Sequence, residues 1–191
     1  MTKAELRRDY KQRRKLLTAP EISSLNADLL KHLIEYDWGG VRYMHTFLPI
    51  AGKNEPDMWS FITSMRVHYP HIKVVISRSE PRDCTMQHFL LTADVTLKKN
   101  VWGIVEPVDG ERVDDTLLDV VLVPLLIADK AGNRVGYGKG FYDRFLAKCR
   151  PDCRKIGISV FTAVEKIDDV DLLDVPLDML ITPQGKTTFP R

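Results

Sequence analysis

Cysteine is scarce in this 191-residue chain: only Cys84, Cys149 and Cys153 occur. An odd count this small excludes a disulfide framework. Cys149 and Cys153 are spaced like half of a zinc site, but no second Cys/His pair stands nearby to complete it. They read as reduced thiols at a helix end. An excess of charge of either sign is also missing. Against 28 Lys plus Arg stand 26 Asp plus Glu, a net +2, so nothing demands nucleic acid as a partner. The apolar run Val120 to Ala128 lies between two aspartates and is far shorter than the about 20 residues that a bilayer crossing needs. Charges scattered through the first residues leave no apolar signal-peptide core. Repeats and low-complexity tracts are absent. The expectation is a soluble, cytoplasmic protein that binds neither membrane nor nucleic acid, as a monomer or weak dimer.

What is present is enough apolar material for a core, 44% of residues, and no linker-like stretch to divide it, which predicts a single domain over residues 1–191. Apolar residues at three- and four-residue spacing predict helices over 3–17 (Leu6, Tyr10, Leu17) and 21–36 (Ile22, Leu25, Leu29, Leu33, Tyr36). Two further helices are expected over 57–68 and about 140–149. Strands are expected over 41–48, 73–77, 117–123, 156–160 and 179–182, with 86–91 and 95–97 as a hairpin or edge pair. The segment 117–123, apolar on both faces, suits the centre of a helix-covered parallel sheet. Strands alternating with helices of this length predict an α/β fold with a mainly parallel sheet.

The most informative segment follows that central strand: Gly132-Asn-Arg134-Val135-Gly136-Tyr137-Gly138-Lys139-Gly140-Phe141-Tyr142-Asp143-Arg144. Alternating glycines permit close approach of a ligand to the backbone. A helix start just beyond adds unpaired N–H groups that suit a phosphate, and Arg134 and Lys139 add positive charge. The spacing matches neither the P-loop nor the dinucleotide fingerprint, so on spacing alone a flexible loop before a capped helix is an equal reading. Asp143 falls in the first helical turn, where an acid is stabilising in any case. On the first helix, Lys3, Arg7 and Arg14 fall within about 40° of one another at 100° per residue. They form a basic stripe beside the apolar face, read either as a solvated face or as a wall for an anion.

These residues together resemble the 5-formyltetrahydrofolate cyclo-ligase (methenyltetrahydrofolate synthetase) family. Lys3-x-x-Leu6-Arg7, the Gly132-to-Arg144 segment and Asp174-Val-Pro-Leu-Asp178 carry the likeness, in that order along the chain. Phe47-Leu48-Pro49, Ser77-Arg78 and Trp102-Gly-Ile-Val-Glu106-Pro107 add to it. The resemblance implies a three-layer domain with helices on both faces of the sheet, of an isomerase/CoA-transferase-like architecture. It also implies ATP- and Mg²⁺-dependent closure of a reduced folate, 5-formyltetrahydrofolate, to 5,10-methenyltetrahydrofolate, with release of ADP and phosphate. Lys3 and Arg7 would then bind phosphates, and the run Arg134, Val135, Gly136, Tyr137, Gly138, Lys139, Gly140, Phe141 and Tyr142 would wrap the nucleotide. Arg134 and Lys139 would serve the phosphoryl transfer itself, and Asp143 and Asp174 would hold Mg²⁺. Leu48, Glu55, Trp102, Tyr137 and Phe141 would contact the folate. The chain departs from the family pattern at Gly52-Lys53-Asn54-Glu55, where Lys53 occupies the position of a glutamate and Glu55 supplies the carboxylate only after a local shift. Trp102 either stacks on the pterin or packs in the core.

Two competitors remain at this stage. A sugar-phosphate isomerase or transferase of similar architecture would need a positioned base, for which Glu55 and Glu106 are the candidates. A nucleotide- or RNA-binding module would not need both aspartates.

Overall fold

The computed structural model describes residues 1–190. The first helix, α1 (Lys3–Leu16), starts in a capping box in which Thr2 and Glu5 satisfy each other's backbone N–H groups. A second box, Thr18 with Glu21, starts α2 (Ala19–Ile34). After the short strand β1 (Tyr43–His45) the chain crosses through α3 (Met58–His68), capped by Asp57, to β2 (Lys73–Glu80). Then come β3 (Thr85–Leu90), β4 (Leu97–Lys99), β5 (Val105–Pro107) and β6 (Arg112–Val113). A 3₁₀ turn over Asp115–Leu117 leads into β7 (Val120–Pro124). The small strands β8 (Ile127–Ala128) and β9 (Arg134–Val135) precede α4 (Phe141–Leu146), and β10 (Arg154–Ile158), β11 (Met179–Thr182) and β12 (Gly185–Thr188) follow it.

Eight strands form one sheet in the order β12-β11-β10-β7-β1-β2-β3-β6. The five central strands are parallel, and β12, β3 and β6 pair antiparallel at the margins. The central strands are apolar on both sides: Val120 and Leu122 of β7 face one layer, Val121 and Val123 the other. Helices α2 and α3 cover the first face through Leu29, Leu33, Phe61 and Met65, and α4 covers the second through Phe145 and Leu146. The expected three-layer α/β arrangement is therefore present. Glycine is required at Gly157 of β10, because a Cβ there would meet Leu177 Cδ1 at 2.5 Å and Leu125 Cδ2 at 2.9 Å.

Two local expectations need correction. Residues 86–91 do not pair with 95–97. Instead β3 pairs with β2, setting Leu90 against Val75 and Phe89 against Ile76, while β4 pairs with β5. Burial decides this, since Phe89 and Leu90 are enclosed whereas 95–97 stay half-exposed or exposed. The last expected helix is also shorter: α4 holds six residues, and its N-cap Gly140 sits in the left-handed region at φ +70° with no side-chain cap.

The topology fixes where a site can form. From β1 the chain moves one way, through α3 on one face, to β2; from β7 it moves the other way, through α4 on the opposite face, to β10. Right-handed crossovers in opposite directions force the helices onto opposite faces. The strand order thus reverses between β1 and β7, and a crevice opens beyond the carboxyl ends of the strands at such a switch point.

Candidate active site

A cleft of about 840 Å³ opens at that point, toward the large end of small-molecule sites. Phe47 and Leu48 beyond β1, Ser77 of β2 and Pro124 at the end of β7 form its floor. The loop after β9 forms one wall, α1 another, and the turn between β4 and β5 a third.

The glycine loop is held out from a small, rigid base. Asp129, fully buried, accepts from Ala131 N, Asn133 N, Asn133 Nδ2 and Ile167 N, which fixes the turn between β8 and β9. Helix α1 docks on that hairpin by burying Leu6 and Tyr10 against Leu126, Ile127, Val135 and Ile167. Docking turns the basic stripe into the cleft: Lys3, Arg7, Lys11, Arg14 and Lys15 all line it. Arg7 Nε donates to Gly136 O at 2.9 Å, and the guanidinium lies across Gly138, where a Cβ would come within 3.1 Å of Arg7 Cζ. At φ +90°, Gly138 is also in backbone territory that L side chains avoid. Because α4 is so short, positive charge in this cleft comes from side chains more than from a helix end.

Arg134 occupies the inner end of the loop. Its Nη2 is 2.6 Å from Asp143 Oδ1 and its Nη1 donates to Val175 O. Burial pulls the guanidinium's pKa down, and Asp143, then Asp174, pull it back up. Asp143 also accepts from Val175 N at 3.2 Å, while the neighbouring Asp174 is paired with Lys3 and accepts from Asp171 N at 2.7 Å. The two aspartates thus meet at one edge of the cleft although 31 positions separate them in the chain. Magnesium binds through one or two carboxylates and takes its remaining ligands from water and phosphate oxygens. This donor set fits that demand. Among the described residues no three His, Cys, Asp or Glu side chains converge as a closed protein cage would require.

Part of the cleft lining is aromatic. Lys139 Nζ lies 4.3 Å from the centre of the Trp102 ring, and Trp102 meets Phe141 edge-on at 6.3 Å. Trp102, 37% exposed, is therefore a cleft residue and not part of the core. Tyr137 closes a buried network in which Arg14 Nη2 donates to its hydroxyl, and the hydroxyl donates to Glu55. Glu55 also accepts from Ile50 N at 2.7 Å. Burial first, and the Glu55 charge second, push the Tyr137 phenol up; the same two causes, in that order, act on Tyr142. Asn54, at φ 48°, donates through Nδ2 to Arg14 O and Leu17 O and so ties this loop to the end of α1. Glu55 is thus buried, and Lys53 stands exposed at the rim.

Of the residues expected from sequence, Lys3, Arg7, Leu48, Glu55, Trp102, Arg134, Gly136, Tyr137, Gly138, Lys139, Gly140, Phe141, Tyr142, Asp143 and Asp174 line this one cleft. Val135 does not; its side chain is buried beneath α1. Sequence reasoning missed Lys11 and Lys15, four residues on from Arg7 and Lys11 respectively, and Ser77, for which it offered no signal beyond Ser77-Arg78. Cys153 is buried and Cys149 half-buried, away from the cleft. None of the helices in the described residues is long and apolar enough to cross a membrane.

The fold and cleft define an α/β protein with a cation-lined crevice at its sheet switch point. A sequence profile of the 5-formyltetrahydrofolate cyclo-ligase family matches residues 1–183, and the chain belongs to that family. A relative in Schizosaccharomyces pombe, named "Probable 5-formyltetrahydrofolate cyclo-ligase", is 31% identical over 112 residues, 51% of this chain and 54% of that protein. The chain therefore spans about half the length of this curated relative. The NMR structure of Aquifex aeolicus 5,10-methenyltetrahydrofolate synthetase superposes with a TM-score of 0.81 at 24% identity, covering 100% of this chain and 94% of that one. A 5,10-methenyltetrahydrofolate synthetase from Mycoplasma pneumoniae gives 0.74 at 23%, covering 96% and 99%.

Proposed function

We propose that this protein closes 5-formyltetrahydrofolate to 5,10-methenyltetrahydrofolate at the expense of ATP. The observation that carries this reading is the composition of one cleft in a member of this family: a cluster of Lys and Arg side chains, a glycine loop, two carboxylates at its edge and aromatic rings, all lining the same space. A formamide oxygen is a poor leaving group, so the γ-phosphoryl group is first transferred to it. Phosphoryl transfer needs positioning and charge neutralisation more than a protein nucleophile. Lys3, Arg7, Arg134 and Lys139 supply the charge, and Gly138 lets the chain approach the phosphates. Asp143 and Asp174 would hold Mg²⁺, which when bound supplies further neutralisation of phosphate charge. Trp102, Tyr137, Phe141 and Leu48 hold the folate so that its N10 faces the activated carbon and water is kept off it. N10 then attacks, phosphate departs as the C–N bond forms, and N10 gives up its proton.

The sugar-phosphate alternative loses its bases here, because Glu55 is engaged by Tyr137, Arg14 and Ile50 N, and Glu106 accepts from Ser79 N at 3.0 Å. The test is optical. Methenyltetrahydrofolate absorbs in the near ultraviolet where the formyl compound hardly does. The protein with 5-formyltetrahydrofolate and Mg²⁺ should develop that band only when ATP is added, with ADP in equal amount. Release of ADP without the band would defeat the proposal.

A further inference from the structure

A chain of polar side chains runs from the cleft floor through the apolar layer under α4 to the surface. Ser77 of β2 lines the cleft. His45 Nε2 of β1 lies 2.6 Å from its Oγ, and His88 Nδ1 of β3 lies 3.0 Å from the same atom. Beyond, His88 Nε2 is 3.1 Å from Asp115 Oδ1 on the 3₁₀ turn, close enough for an ion pair though not aligned as a straight hydrogen bond. Both imidazoles are buried, at 0% and 2% exposure, and pack on Phe145 with ring centres 5.0 and 4.1 Å away. Asp115 is 22% exposed and reaches water.

The polarity of this chain follows from its ends. Asp115 can only accept, so it favours the tautomer of His88 with hydrogen on Nε2. The lone pair on His88 Nδ1 then accepts the Ser77 hydroxyl proton. Ser77 Oγ in turn accepts from His45 Nε2, and one of its two lone pairs stays free. His45 remains neutral, since burial first and His88 second pull its pKa well down. The other groups facing this chain are Asp114 beside Asp115, Cys149 near Asp115, and Tyr142 of α4, whose ring lies 6.0 Å from that of His45. The carboxylates lining the cleft are by contrast taken: Glu55, Glu106, Asp143 and Asp174 each accept from donors of this chain.

Resting on the cyclisation proposed above, we propose that Ser77, His88 and Asp115 form a proton relay that takes the proton leaving N10 and delivers it to solvent. As the N10–C bond forms and the C–O bond to phosphate breaks, N10 passes its proton to Ser77 Oγ. Ser77 passes its own to His88 Nδ1, and His88 passes the Nε2 proton to Asp115. Asp115 releases it to water. Once the product has left, the chain resets in the opposite direction: a proton from water returns through Asp115 to His88 Nε2, His88 Nδ1 returns its proton to Ser77, and Ser77 gives one up to water in the emptied cleft, so one proton per cycle reaches solvent. The relay is neither oxidised nor reduced, and no charge is left on it. His88 and Asp115 act through Ser77, as positioning residues.

The experiment compares wild type, Ser77→Ala and His88→Gln in the near-ultraviolet assay, with ATP and folate affinity measured by calorimetry. The expected result is a fall of about 10²-fold in kcat for either variant, the lower end of what general acid–base groups contribute, with both dissociation constants held within about twofold. Added imidazole should then raise the rate of both variants in proportion to its free-base concentration, and leave wild type unchanged. If His88→Gln fails to fold, Ser77→Ala carries the same test. A variant with wild-type kcat, or one whose loss no buffer base restores, overturns the relay. If wild type itself forms no methenyl band, the failure lies with the cyclisation and the relay falls with it.

Discussion

Glu55→Gln removes one charge from a buried pair and strands the other. The Arg14 and Glu55 side chains are 5% and 4% exposed and 3.5 Å apart. At an effective dielectric of about 20, Coulomb attraction at that distance is on the order of 5 kcal/mol, much of it offsetting the desolvation of both ions. Taking one partner from such a pair costs about 3–5 kcal/mol. Tyr137 and the amide of Ile50 also donate to Glu55, and a glutamine oxygen can replace only part of that acceptance. Thermal unfolding followed by circular dichroism should therefore show a loss of about 3 kcal/mol, or about 6–12 °C for a chain of this length. Arg14→Met should cost a similar amount, since it leaves Glu55 stranded instead. The double variant strands neither and should lose about 2 kcal/mol less than the sum of the singles. Tyr137 gives an independent readout. Part of its raised phenol comes from the Glu55 charge, so the tyrosinate band should appear at lower pH in Glu55→Gln. Additivity within about 0.5 kcal/mol, with an unchanged tyrosinate titration, would refute the network.

Asp143→Asn should raise the Mg²⁺ concentration needed for half-maximal rate, and should also destabilise the metal-free protein because Arg134 loses its partner; an unchanged Mg²⁺ requirement would remove Asp143 from the metal. Deleting residues 1–7 should abolish most ATP affinity by calorimetry with Mg²⁺ present. It should also cost about 1.5–3 kcal/mol of stability, because Leu6 is 1% exposed; tight ATP binding by the truncated chain would return α1 to a solvated role. His45, held neutral in the fold, is protonated in the unfolded chain below its ordinary pKa of about 6.5. The folded state therefore loses stability as pH falls from about 6.5 toward the lowered folded value, by up to about 1.4 kcal/mol per pH unit from this group alone. Denaturation midpoints measured from pH 7 to 5 should fall less steeply in His45→Gln.

What the sequence disclosed follows the physics of periodicity. The continuous apolar run of β7 and the four-residue spacing of Leu29 and Leu33 depend only on neighbours along the chain, so the layers could be read directly. The antiparallel margins could not, because choosing β2 over the segment 95–97 as partner for β3 depends on which pairing buries Phe89 and Leu90. The same division holds in the cleft. Gly138 and the Lys3/Arg7 stripe were visible as local patterns, whereas Val135 lies within the glycine segment yet points under α1. Tyr137, Arg14 and Glu55 form one network from three distant segments. Beyond the Ser77-Arg78 pair, Ser77 and His88 show no pattern, since their partners stand on separate strands.

The pairing of Lys3 with Asp174 spans 171 positions, and the backbone and side chain around residues 168–169 also hold the start of α1. Helix α1 is therefore made well before the segment that completes its seat. Until the segment through Asp174 has been made, Leu6 and Tyr10 have only part of their cover, and Lys3 lacks its partner Asp174. Contacts of such separation are slow to close, since the intervening loop must be ordered first. Nascent chains arrested before residue 168 should thus carry a mobile, protease-sensitive first helix beside an incomplete sheet. The edge of the cleft is therefore complete only once residues 168–174 have been made.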